Sequence, residues 1–208
     1  MYSDYYRDQV ARGYRDTHEK QSWWHREQRS MKMLLSQIEA VHKVLDVPFG
    51  TGRFLGLYSD LGYSVSGFDI SEDMFVEARK QWEKEISSAR LVTGDARKLP
   101  FENGEFDLVV STRFLQSILT FGDAKKAISE FCRVSRRFLI LGLDFRADKH
   151  FRLKKPKDTE PMSGRLRLRE LEAILRDFGF ELRDSVGPFK ANGQQFHLLF
   201  EKSVVDES

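Results

Sequence analysis

The chain has a single cysteine, five prolines and no long apolar run. Cys132 has no second cysteine to join, so an internal disulfide is excluded and a reducing, cytoplasmic setting is expected. The longest apolar run, Phe138 to Leu143, is far too short to span a bilayer. Charge of one sign is not in excess either. With 34 Lys and Arg against 32 Asp and Glu the net charge is +2, and such a balanced field gives no argument for nucleic acid as a partner. The opening stretch, Met1 to Lys20, is dense in Asp, Arg and Glu, unlike a secretory leader. There is no internal repeat, no low-complexity tract and no evident metal-ligand set. At 208 residues, what is left is one domain with a full core.

The most informative stretch is Val44-Leu45-Asp46-Val47-Pro48-Phe49-Gly50-Thr51-Gly52-Arg53-Phe54-Leu55. A short apolar run ends in an acid, a Gly-x-Gly turn follows at once, and a helical pattern opens after it. Such a strand–turn–helix leaves free backbone N–H groups at the helix start, where an anion is favoured. Two close glycines let the backbone pass against a ligand where a Cβ would collide.

Around this stretch the chain reads as alternating elements. Residues 1–42 form a helical arm with apolar positions Trp24, Met31, Leu34, Leu35, Ile38 and Val41 at helical spacing and Ser22 as N-cap. The arm either covers a sheet edge or forms a lid with Tyr14, Trp24 and His25 facing a substrate. Residues 43–145 carry the core: a helix over Arg53–Leu61, a strand over Ser64–Asp69, a helix from Ser71 to about Ile86, and a strand over Ala89–Thr93. A strand over Phe106–Val110, a helix from Asp123 to Val134 and a strand over Arg137–Leu143 complete it. Residues 146–167 read as a basic insertion loop with Arg146, Lys149, Arg152, Lys154, Lys155 and Lys157. Residues 168–208 return to a helix and two strands, whose Gly-, Pro- and Asn-Gly-rich link leaves no room for a crossover helix, so these strands should pair antiparallel. The expected architecture is α/β: a doubly wound, seven-stranded, mostly parallel sheet with helices on both faces and an antiparallel last strand.

Three acids, Asp46, Asp69 and Asp95, fall at the ends of successive strands, where the ligand crevice of a doubly wound sheet opens. An acid ending the second strand can accept both hydrogen bonds of a ribose diol. With the segments Leu45–Phe54, Gly67–Met74, Gly94–Phe101 and Phe106–Ser111 in this order, the chain resembles the class I S-adenosylmethionine-dependent methyltransferases of the small-molecule group over about residues 43–145. The resemblance implies S-adenosylmethionine as cofactor. It implies that Asp46 and the Gly50–Gly52 backbone, after Pro48, lie against the methionine part. It further implies Asp69 on the ribose, Ile70 near the adenine, Asp95 on the adenine amino group with Ala96 beside it, and Ser111 near the amino-acid end.

Two departures stand out. Pro48 and Phe49 replace the small residues usual in the family, and Pro48 removes an N–H while keeping Val47 extended. At Gln116 and Ser117 the His residues of many relatives are missing, so a general base must come from elsewhere, with His25 first and His18, His150 and Tyr14 as further candidates. Arg113 would leave the fourth strand beside the transferable methyl and could hold a carboxylate or phosphate with two parallel hydrogen bonds. With the basic loop it points to a small anionic acceptor, such as an acidic or phosphorylated sugar, methylated on oxygen or nitrogen. Competing readings are an RNA methyltransferase fed by the basic loop, a catalytically silent cofactor-binding partner protein, and an aromatic cage for a cationic amine. A nicotinamide enzyme fits less well, because the third glycine, Gly56, comes one place late.

Overall fold

The computed structural model describes residues 19–115, 120–144, 168–187 and 195–203. Tyr14, His18, Gln116, Ser117, His150 and the basic segment 146–167 lie outside them.

Seven strands form one sheet: β1 (Lys43–Asp46), β2 (Ser64–Asp69), β3 (Arg90–Thr93), β4 (Phe106–Thr112), β5 (Ser135–Asp144), β6 (Phe180–Val186) and β7 (Gln195–Lys202). Their order is β3-β2-β1-β4-β5-β7-β6. The five strands from β3 to β5 are mutually parallel, and β7 runs antiparallel to both β5 and β6. The expected α/β sheet with an antiparallel last strand is therefore present.

The central strands are apolar on both faces because both are covered. Leu45, Val109, Leu139 and Leu141 point into one core with helices α4 (Phe121–Val134) and α5 (Leu168–Arg176), represented by Ile128, Phe131, Leu171 and Leu175. Their neighbours Val44, Leu108, Val110, Phe138 and Ile140 point into the other core, built with α1 (Ser22–Leu35), α2 (Leu55–Asp60) and α3 (Glu72–Gln81). Period-two alternation thus supplies two cores from one sheet. In α1, Met31, Leu34 and Leu35 are fully buried, and Ile38 and Val41 follow them inward. At about 1.5–3 kcal/mol for each buried side chain, this stripe fixes the helix against the sheet.

Several boundaries differ from the sequence expectation. The first crossover helix begins at Leu55 rather than Arg53, because Phe54, its N-cap, sits at φ −105° and ψ 4°, outside the right-handed helical region. Gln21, not Ser22, is the N-cap of α1, and Thr120 caps α4 by accepting the Asp123 N–H at 3.2 Å. The α3 helix stops at Gln81, and a separate 3₁₀ turn follows over Glu85–Ser88. Among the described residues no helix is long and apolar enough to cross a membrane. Cys132 is buried, and burial pushes its thiol up to about 12.

One buried polar contact ties α1 to β7. His197 of β7 is fully buried, and its Nδ1 lies 3.1 Å from Ser30 Oγ on α1. Burial holds its pKa down to about 3, with the Arg53 charge pushing the same way. The folded protein therefore keeps His197 neutral, whereas the unfolded chain takes up a proton below about pH 6.5. This contribution is complete above that pH and is lost as the pH falls, reaching about 2 kcal/mol near pH 5. In urea unfolding, wild type should lose more stability between neutral pH and about pH 5 than His197→Gln. Parallel losses would contradict the assignment.

Candidate active site

The Gly turn after β1 is held from three directions. The Phe49 N–H donates to the Phe68 carbonyl at 2.9 Å, and the Gly50 N–H donates to Asp69 Oδ2 at 2.8 Å. Gly50 and Gly52 lie at φ +55° and +72°, a region that costs other residues about 1–2 kcal/mol. Below the turn the Phe49 ring packs on the bare Cα of Gly67, where a Cβ would come within 2.6 Å of the ring. Pro48 leaves this turn intact, with a cis Val47–Pro48 peptide. The large residue at position 49 fits because its ring is buried beside Phe75 instead of filling the cleft.

Above the turn a cleft of about 1030 Å³, its open mouth included, runs along the carboxyl ends of β1 to β4. Pro48, Gly50, Asp69, Ile70, Asp95, Ala96 and Arg113 all line it. It lies where the strand order reverses between β1 and β4, the usual ligand crevice of such sheets.

Asp69 is 6% exposed, and its two oxygens accept the Gly50 and Ser71 N–H groups. Burial raises its pKa, and those backbone donors work against the rise. The Ile70 N–H is a further backbone donor to it, so of the carboxylate's roughly four lone-pair sites one remains for a hydroxyl donor. Ile70 keeps an exposed apolar side chain at the mouth. Asp95 is gripped by Arg97, whose Nε and Nη2 donate at 2.9 and 2.6 Å, and these bonds hold its pKa below the usual range. Arg97 also pairs with Asp123 at 3.0 Å, which ties this side of the cleft to α4.

Asp46 and Ser111 are buried and do not line the cleft. Asp46 accepts a hydrogen bond from the Tyr58 hydroxyl at 3.3 Å, and burial chiefly, with the Asp69 charge, raises its pKa well above the usual range. Ser111 Oγ has no hydrogen-bond partner among the described residues. His25 stands on the exposed side of α1 and is not among the described residues that line the cleft.

At the opposite end from Asp95 the wall is basic and aromatic. Arg113 holds φ +58°, which costs a non-glycine residue about 1–2 kcal/mol. Its guanidinium lies 4.2 Å from the Trp23 ring centre, and its Nη1 is 3.6 Å from Glu27 Oε1. Arg53, also in the lining, stacks 4.0 Å from the Trp24 ring and forms a close ion pair with Glu27 Oε2. Glu27 is fully buried between the two arginines. Arg53 and Glu27 were not singled out from sequence. The signal for Glu27 was an acid within the apolar stripe Trp24, Met31, Leu34, where a charge must find a partner.

This geometry has counterparts. Residues 44–137 match the family model described as a methyltransferase domain. A demethylmenaquinone methyltransferase of Staphylococcus saprophyticus is 38% identical over 88 residues, covering 41% of this chain and 37% of that protein. A phosphatidylethanolamine N-methyltransferase of Cereibacter sphaeroides is 36% identical over 99 residues, or 46% of each chain. The chain thus spans less than half the length of these two relatives. In fold, the crystal structure of magnesium protoporphyrin IX methyltransferase from Synechocystis PCC 6803 with bound SAH superposes with a TM-score of 0.76 over 97% of this chain and 98% of that one, at 18% identity.

Gly67→Ala should destabilise the fold by about 1–3 kcal/mol, because the added methyl must displace the Phe49 ring beneath the turn. Thermal melts check this, and an unchanged Tm would contradict the packing described. Residues 44–137 thus match a methyltransferase domain, and the motifs and strand order of the chain are those expected of the class I S-adenosylmethionine-dependent methyltransferases.

Proposed function

We propose that the protein transfers a methyl group from S-adenosylmethionine to an oxygen or nitrogen of a small anionic metabolite. The cofactor fits the residues present. Gly50 presents no Cβ to the cleft, Asp69 keeps acceptor capacity for a ribose hydroxyl, and Ile70 offers an apolar surface for the adenine. When bound, the cofactor supplies an electrophilic methyl on a sulfonium, open to in-line displacement. The protein's share is alignment and exclusion of water. The amino-terminal arm, residues 1–42, serves as part of the enclosing wall in this reading.

The observation that carries the acceptor's charge is Arg113. It is a non-glycine residue held at positive φ, with one face on Trp23 and a quarter of its side chain exposed at the cleft. A guanidinium so fixed can grip a carboxylate or phosphate through two parallel hydrogen bonds. Among the described residues, the cleft lining contains no His, Cys, Lys or Tyr. A carboxylate oxygen or an unprotonated amine as acceptor needs no strong base.

Methyl-labelled S-adenosylmethionine with a panel of small organic acids, sugar acids and sugar phosphates tests the reading. Arg113→Ala should lower kcat/KM for the accepted anion by roughly tenfold to a hundredfold, the loss of a charge-assisted hydrogen bond. Unchanged turnover would remove the anionic acceptor from the proposal.

A further inference from the structure

Arg113 is held at several points before any ligand arrives. Its backbone sits at φ +58°, and its N–H donates to the Gly142 carbonyl at 3.2 Å. The guanidinium is restrained separately, from α1. The Trp23 ring covers one of its faces, with the ring centre 4.2 Å from Cζ. Its Nη1 is buried, 3.6 Å from Glu27 Oε1, and has no hydrogen-bond partner among the described residues. With Nη1 turned to α1, Nε and Nη2 are the nitrogens left for a ligand. That edge carries two parallel N–H groups, the fork that matches a planar carboxylate. The Trp23 ring has its own support. It meets the buried Trp24 edge-on, with 6.1 Å between ring centres and 63° between planes, and Met31, Leu34 and Leu35 root α1 further along. The Arg53 guanidinium also lies near Trp23, at 5.3 Å, but stacks closer on Trp24, at 4.0 Å. Of these two guanidinium groups Trp23 lies nearer Arg113.

We propose that Trp23 is a positioning residue for the methyl acceptor: its ring stacks the Arg113 guanidinium against α1 and keeps the Nε–Nη2 edge turned to the cleft. This rests on Arg113 as the acceptor's anchor and adds what aims that anchor. An aromatic ring suits the task because it attracts the cation through its face and takes none of the N–H groups. A carboxylate partner would hold the guanidinium too, but by occupying the donors that a ligand needs. Fixing the side chain in advance also removes a cost of binding. A free arginine loses rotamer freedom when it grips an anion, and a stacked one has already lost it. Trp23 acts through Arg113, so its role is alignment rather than chemistry.

The test uses the full chain saturated with S-adenosylhomocysteine and titrated with propionate, a small planar anion, by calorimetry and by tryptophan emission. Trp23→Leu should weaken propionate binding about tenfold, which corresponds to about 1.4 kcal/mol and to the loss of one cation–π contact. Its affinity for S-adenosylhomocysteine should stay near that of wild type. Trp23→Phe keeps a ring face and should recover most of the propionate affinity. Propionate should also change the emission of wild type, and Trp23→Phe should lose most of that change while it still binds the anion. If Trp23→Leu does not fold, Trp23→Met takes its place, a side chain of similar reach without a ring.

A ring that only packs α1 would lower the Tm on removal and leave propionate affinity as in wild type. That result in folded Trp23→Leu or Trp23→Met would overturn the proposal. So would a loss of affinity that Trp23→Phe does not recover, or an emission change that Trp23→Phe keeps in full. Arg113→Ala separates the two levels. If it abolishes propionate binding while the Trp23 variants bind as wild type does, the positioning role fails and the anchor stands. If Arg113→Ala still binds propionate as wild type does, the anchor itself fails.

Discussion

The Asp69 carboxylate accepts one N–H from the Gly turn after β1 and another from the residue that leads into α3. This buried acid joins two crossover connections at the carboxyl edge of the sheet, and the cleft depends on that joint. The Phe49 ring seated on Gly67 supports it from below. Together they hold Gly50 and Gly52, both at positive φ, in place without help from a long helix. The helix that follows the turn has only six residues. The turn is therefore fixed by side-chain and packing contacts to β2 more than by the helix it precedes.

The other wall has a different origin. The helix α1 is rooted in the core by Met31, Leu34 and Leu35 at its carboxyl end, while its first turns carry Trp23, Trp24 and Glu27 to the arginines of the cleft. One amphipathic stripe thus serves two purposes. Its apolar half contributes stability, and its single buried acid distributes charge between Arg53 and Arg113. Breaking such a set by removing one member leaves a buried charge uncompensated, which costs about 3–5 kcal/mol where it has been measured in other proteins. The Asp95 side of the cleft shows the same economy, with Arg97 shared between Asp95 and Asp123.

Much of this was legible in the sequence. The alternation of apolar runs with helical patterns placed every strand to within a few residues, and the absence of a helical stretch before Phe196 foretold the antiparallel pairing of β6 and β7. The Gly-x-Gly turn and two of the three strand-end acids, Asp69 and Asp95, marked the cleft edge. What stayed hidden depends on side-chain direction. Asp46 and Asp69 end neighbouring strands and look equivalent in sequence, yet one meets the Tyr58 hydroxyl in the core and the other lines the cleft. His25 and Glu27 lie two residues apart on one helix, and the helical period puts the histidine outside and the acid inside. His197 seemed part of an ordinary strand, because nothing local reveals that Ser30, far away in the chain, meets it from the helix packed on that face of the sheet.

The central claim is that the rim of this sheet holds an adenosyl sulfonium with its ribose on Asp69. Isothermal titration calorimetry of the folded protein with S-adenosylhomocysteine tests it most directly. The account expects saturable heats for one site per chain with a Kd on the order of micromolar. Flat heats at millimolar ligand would contradict it.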